Sequence, residues 1–183
     1  MRNLDKKDLP LLQQLTDQLI GPGYYKLSEL EEVYQKSLLN GENFSWVLLE
    51  DGAIKGFRFS YPPGNWTSGK GEGLTESQWP HAKSDTAYFQ SLFISPKLTG
   101  QGYGKKISQK ALDQLKSTGA KGVVCHSWVE SPHDSARRYL KALGCVSVAQ
   151  HKEYWKDVDY ICPCGNQPCL CTAEEMYLDL EKK

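Results

Sequence analysis

The chain has 183 residues, enough for one domain with a substantial buried core. Its 22 lysines and arginines balance 22 aspartates and glutamates, which leaves no net field to draw in nucleic acid or an anionic membrane. No apolar run approaches the roughly 20 residues that span a bilayer, and Met1 to Asp8 lacks the apolar segment of a secretory signal, so the expected compartment is the cytoplasm.

Arg2-Asn3-Leu4 reads as a short strand. Leu9, Leu12, Leu15 and Leu19 recur at helical spacing and predict a helix with one buried stripe, broken at Gly21-Pro22-Gly23. A second helix is expected from a Ser28 cap, with Glu31 as the other half of a capping box, to Asn40-Gly41. Phe44 to Leu49 and Ile54 to Tyr61 are strand-like runs joined at Asp51-Gly52, a hairpin signal. Pro62 to Thr86 is a long polar stretch in which Trp66 and Trp79 point toward a flap over a substrate. Then come a strand over Ala87 to Ile94, a helix over Gly104 to Thr118 ended by Gly119, and a strand over Val123 to Val129. A helix over Asp134 to Leu143 closes at Gly144, and two strands follow near Val146–Trp155 and Met176–Leu180. The order β-α-α-β-β-β-α-β-α-β-β predicts one domain over residues 1–183, built on a mixed α/β sheet.

The passage richest in chemistry runs from Leu92 to Lys106. A strand enters a turn with glycines at 100, 102 and 104 and passes straight into a helix. Glycines let main chain approach an anion closely, and the positive end of the helix dipole stands behind the converging amides. Such a nest suits a pyrophosphate, with Lys105 and Lys106 adding charge at its rim.

These residues resemble the core motif of the GNAT superfamily of acyl-CoA-dependent N-acyltransferases. That motif is an apolar strand, a proline, then Arg/Gln-x-x-Gly-x-Gly/Ala at a helix start. Ile94, Pro96, Gly100, Gly102 and Gly104 fall in register with it, and Thr99 stands where Arg or Gln is usual. A second segment agrees. Val129, Ala136, Leu143 and Gly144 match, and Tyr139 fills an aromatic position. The likeness runs from residue 1 to about 155. It implies a GNAT-like α/β fold in which acyl-CoA lies in a splay between the fourth and fifth strands. The amides of Phe93 and Ile94 would hold the pantetheine arm or acyl carbonyl, and those of Thr99, Gly100, Gln101, Gly102, Tyr103, Gly104 and Lys105 the pyrophosphate. An amine would attack the thioester directly, with no covalent enzyme intermediate, so Cys125 is not expected to be a nucleophile.

The resemblance also implies a strand-borne glutamate as base and a tyrosine as thiolate acid, but Gln90 and Leu140 stand in those positions. Three substitutes are expected: His133 as proton donor, Glu130 as proton acceptor, and Tyr139 if its helix is slightly rotated. His126, inside a strand, reads as a structural histidine.

Cys162, Cys164, Cys169 and Cys171 form a C-x-C-x4-C-x-C cluster, a knuckle over residues 160–173 between the last two strands. Four thiolates can enclose a zinc ion tetrahedrally, which would leave no open position, so the expected role is structural. Disulfides, free thiols or another metal remain as alternatives. The segment from Tyr160 to Met176 holds no lysine or arginine, which argues against a nucleic-acid knuckle. The expected activity is acetyl transfer from acetyl-CoA to a primary amine, a small molecule or a peptide terminus. Transfer of a longer acyl group and a non-catalytic CoA-binding or zinc-stabilised interaction domain stand as alternatives.

Overall fold

A computed structural model describes every residue except 72, 161, 163 and 183. Along the chain come β1 (Arg2–Asn3), α1 (Leu9–Leu19), α2 (Leu27–Lys36), β2 (Leu38–Leu39), β3 (Glu42–Asn43), β4 (Trp46–Glu50) and β5 (Ala53–Tyr61). Then follow β6 (Thr86–Ile94), α3 (Tyr103–Ser117), β7 (Gly122–Trp128), α4 (Ser135–Ala142), β8 (Val146–His151) and β9 (Ala173–Asp179). The main sheet has the order β1-β4-β5-β6-β7-β9-β8. Its neighbours are antiparallel except for β6 and β7, which run parallel and are joined by the crossover helix α3.

The expected mixed α/β sheet is present, with local corrections that have physical causes. Asn40-Gly41 does not simply stop a helix. It is the two-residue turn of a small hairpin, β2–β3, with both residues at positive φ, as Asp51-Gly52 is between β4 and β5. The α2 start is held by Glu29, whose carboxylate accepts from the Lys26 amide at 2.8 Å, rather than by Ser28 with Glu31. In α1, Leu9 and Leu12 are buried but Leu19 is exposed, because Thr16 takes the next inward position. The strand expected to reach Trp155 ends at His151, where the chain turns away.

Helices α1 and α2 and the 62–85 segment cover one face of the sheet; α3 and α4 cover the other. The long segment is packed against the sheet, and its Lys70 lines the cavity described below. Trp66 and Trp79 are both buried, their indole N–H groups donating to the Thr86 carbonyl at 2.8 Å and to Glu175 at 2.5 Å. Among the described residues, no helix is long and apolar enough to cross a membrane.

One irregularity opens the sheet. On β5, Phe59 pairs with Ser91 and Ser60 with Phe89, so Gln90 is an extra residue bulged out of β6. A bulge bends its strand and ends regular pairing. The β6–β7 ladder stops at Phe89 and Cys125. Beyond that point β6 continues with β5 to Ile94, while β7 continues with β9 to Trp128. The two strands part.

Candidate active site

The gap left by the parting strands opens into a cavity of about 770 Å³. Counting the main-sheet strands β1, β4, β5, β6 and β7 in chain order, it lies between the fourth and fifth. Alternate backbone groups of a strand point toward each neighbour, so on this side residues 90–94 of β6 lose their strand partner. Phe93 and Ile94 line the cavity.

At one end stands the glycine turn. Gly100 and Gly102 have φ of +81° and +79°, a left-handed conformation that side chains disfavour. A Cβ on Gly104 would meet Leu92 Cδ2 at 3.3 Å, so glycine lets α3 sit close on the strand. The amides of residues 100–105 have no hydrogen-bond partner among the described residues, and the first helical bond to follow is Lys106 N–H to the Gly102 carbonyl at 3.1 Å. Thr99, in the unusual position, turns its hydroxyl back toward the Ser95 carbonyl at 3.3 Å. Every residue from 99 to 105 except Gln101 lines the cavity; the Gln101 side chain donates to the Lys97 carbonyl at 3.0 Å. The nest therefore has the donors, the close approach and the dipole that a diphosphate needs.

Behind the turn, Arg58 of β5 is 3% exposed. Its guanidinium lies over the Phe89 ring, and its Nη2 donates to the Tyr139 hydroxyl at 2.8 Å. That hydroxyl also hydrogen-bonds Ser108 of α3, and Arg58 Nε donates to the same serine at 3.1 Å. Tyr139 lines the cavity.

Further along, His126 lines the cavity just past the point where β7 leaves β6. Its Nε2 lies 3.0 Å from the Gly73 carbonyl, which can only accept, so the proton sits on Nε2 and Nδ1 keeps its lone pair. The Tyr88 and Tyr154 hydroxyls lie 2.9 and 3.1 Å from that Nδ1. Burial lowers the His126 pKa to about 4 and raises that of Tyr154 to about 12. Close by, Glu175 is fully buried; burial pushes its carboxyl up, but donors from His151, Trp79 and Thr75 outweigh this and hold it below the usual value. Beside the floor of the cavity, the neighbouring Cys145 thiol and burial push Cys125 far above the ordinary thiol range, which keeps it protonated.

The model of the acetyltransferase (GNAT) family matches residues 11–145. The chain belongs to the GNAT family. Solved GNAT-fold structures cover nearly all of it. The ribosomal-protein-S18-alanine N-acetyltransferase of Escherichia coli is 15% identical with a TM-score of 0.68, covering 99% of this chain and 93% of its own. An N-acetyltransferase of Staphylococcus aureus Mu50 is 16% identical with a TM-score of 0.68, covering 98% and 97%. YncA of Salmonella typhimurium, solved with its cofactor acetyl-CoA, is 17% identical with a TM-score of 0.68, covering 100% and 94%. At these identities the likeness carries the fold. No curated protein matches the sequence.

Within this GNAT domain the three expected proton carriers separate. Tyr139 reaches the cavity. Glu130 is exposed, and its carboxylate accepts from the Thr172 amide at 3.0 and 3.1 Å, tying β7 to the segment before β9. His133 is exposed in a left-handed turn at φ +56°, and neither it nor Glu130 lines the cavity. His126, read from the sequence as structural, is the histidine that lines the cavity. The strand alternation was legible, but the partners that aim it into the gap come from three distant segments.

The cysteines expected on a GNAT elaboration lie between β8 and β9. Cys162 and Cys171 sulfurs are 3.6 Å apart and Cys171 and Cys164 sulfurs 3.4 Å, while Cys169 accepts from the Tyr160 hydroxyl at 3.2 Å. All four are free thiols. Four sulfurs at about 2.3 Å from one ion would be about 3.8 Å from each other; the Cys162, Cys164 and Cys171 sulfurs come near that spacing, all within 4.8 Å of one another, while Cys169 lies outside this group. Cys162, Cys169 and Cys171 are buried against Trp128, Trp155 and Tyr160, and those three rings also line the cavity. The knuckle thus backs the end of the cavity opposite the phosphate nest. Its proline at 163 lies outside the described residues.

Proposed function

We propose that the chain transfers an acetyl group from acetyl-CoA to a primary amine, a small molecule or a peptide terminus, in a ternary complex. The observation that carries this reading is the row of amides at 100–105 with no partner among the described residues, set at one end of a cavity formed by parting strands. Acetyl-CoA supplies an activated acyl group as a thioester. The amides of residues 100–105 bind the diphosphate, and Lys105 adds a cation at its rim. The free backbone side of β6 near Phe93 and Ile94 orients the pantetheine arm and offers an N–H to the carbonyl oxygen as it gains charge.

Two groups handle protons. His126 Nδ1, reached through the Tyr88 or Tyr154 hydroxyl, accepts the proton that the amine sheds. Such a weakly basic imidazole serves because the amine N–H becomes acidic only once nitrogen has begun to bond to carbon. Tyr139 gives its proton to the departing thiolate, and the Arg58 guanidinium donates to the oxygen left behind. The cysteine quartet holds a structural zinc ion that fixes the β8–β9 connection behind the acceptor end. The central test is calorimetric titration with acetyl-CoA, followed by thiol release over a panel of amines. Saturable heat and amine-dependent release are expected; no heat at millimolar ligand would end the assignment.

A further inference from the structure

The cavity has an uneven charge inventory. Among the described residues its lining includes Arg58, Lys70, Lys105 and His126 but no aspartate or glutamate. Three of these basic groups are spoken for by position. Lys105 stands at the phosphate nest, Arg58 is bound to Tyr139 and Ser108, and His126 is held neutral by burial. Lys70 remains.

The chain brings Lys70 in by an unusual route. Between β5 and β6 it crosses the acceptor end as Gly69-Lys70-Gly71. A Cβ at residue 69 would overlap the Tyr154 and Tyr88 hydroxyls, and one at residue 71 would overlap the Tyr154 carbonyl. Only glycines fit on either side of the lysine, so the crossing is pinned to the same tyrosines that reach His126. The Lys70 ammonium lies 4.1 Å from the centre of the Tyr25 ring and 5.6 Å from that of Tyr24. Among the described residues its one carboxylate neighbour is Glu29, 3.9 Å away and beyond hydrogen-bond reach, and the other Glu29 oxygen already takes the Lys26 amide. No described residue accepts a hydrogen bond from Lys70 Nζ. An ammonium held by ring faces and by a carboxylate at ion-pair but not hydrogen-bond distance keeps its N–H donors unused among the described residues.

We infer that the acceptor amine carries a carboxylate, that Lys70 receives this carboxylate, and that Tyr24, Trp155 and Tyr160 enclose the body of the acceptor. Burial lowers the Lys70 pKa, and an incoming anion offsets that penalty. A cationic polyamine meets the opposite situation, an extra positive charge with no carboxylate among the described lining residues to take it. The inference rests on the acetyl-transfer reading above.

The test compares matched amines with the purified protein: L-amino acids against their carboxamides, and short peptides with Glu against the same peptides with Gln. Preference among free amino acids or among peptides tells which source the carboxylate has. The expected result is a kcat/KM at least about tenfold higher for the carboxylate member, carried by KM, as one charge-assisted hydrogen bond would give. In K70M that ratio falls to near one, while K70R retains part of it. The acetyl-CoA titration checks that each variant keeps its fold. Turnover with a wild-type ratio near one overturns this inference alone, and so does a ratio that survives K70M. Acetylation of Lys70 itself, seen by peptide mass spectrometry, also overturns it, because an amide offers no charge. If acetyl-CoA binds but no amine releases CoA, the transfer reading falls and this inference falls with it.

Discussion

Arg58 and Tyr139 meet at 2.8 Å across the space between β5 and α4, the guanidinium donating to the phenol oxygen. Burying arginine this deeply, at 3% exposure, is costly unless its donors are used. Ser108 uses one and Tyr139 another. The pair therefore serves stability as well as the proposed proton delivery, and the two contributions separate in one variant. Y139F is expected to lower kcat by roughly a hundredfold, the range of a positioned general acid, with little change in acetyl-CoA affinity. It should also cost about 1–3 kcal/mol of folding stability, because a buried donor loses its acceptor. Steady-state kinetics and urea unfolding read the two effects. Loss of stability with kcat unchanged would leave Tyr139 a purely structural role.

The phosphate nest makes a sharper prediction, since backbone and not side chain does the binding. G102A forces a Cβ into a left-handed position at φ +79° where nothing else crowds it. The strain costs about 1–2 kcal/mol, and relieving it rotates the neighbouring amides off their common point. Acetyl-CoA affinity by calorimetry should drop at least about tenfold while the far end of the cavity is untouched. Wild-type affinity in G102A would show that these amides do not grip the ligand.

Much of this architecture was legible in the chain because it is local. Strand alternation, the Asp51-Gly52 turn and the three spaced glycines each follow from backbone sterics over a few residues, and each recurs in the structure. Less was legible where tertiary packing overrides local pattern. Trp66 and Trp79 sit in a glycine-rich, polar stretch yet bury themselves against Thr86 and Glu175, which no spacing reveals. His126 looked structural for the same reason: Gly73, Tyr88 and Tyr154, which set its tautomer, are 53, 38 and 28 residues away in sequence. Lys70 gave one faint signal, its glycine on each side.

Acid sensitivity should carry the mark of His126. Its pKa in the folded protein is about 4, lowered by burial from the ordinary 6.5. Between those values the unfolded chain binds a proton that the folded chain refuses, so stability rises with pH across the window and is lost as pH falls from 6.5 toward 4. At the foot of the window the loss reaches about 3 kcal/mol. The depressed Glu175 carboxyl has the same sign but acts lower, below its ordinary 4.5. Denaturant midpoints measured across this range should slope in the wild type and flatten between pH 6.5 and 4.5 in H126Q. An unchanged slope in H126Q would assign the sensitivity elsewhere.

If the cysteine knuckle holds zinc as proposed, metal content should track acceptor binding rather than the phosphate nest. Cys162, Cys169 and Cys171 support Trp128, Trp155 and Tyr160, and the Tyr160 hydroxyl donates directly to the Cys169 sulfur. Protein purified without chelator should hold about one equivalent of zinc, and the double variant C162S/C171S close to none. Without the ion the sulfurs lose their common anchor, so the three rings packed on them lose their backing. The acceptor KM should then rise severalfold while acetyl-CoA affinity stays as it was, because residues 100–105 lie at the other end of the cavity. Less than about a quarter equivalent of any metal in the wild type would remove the zinc proposal. Equal loss of affinity for both substrates would instead mean that the knuckle supports the whole sheet, through β9, and not one wall of the cavity.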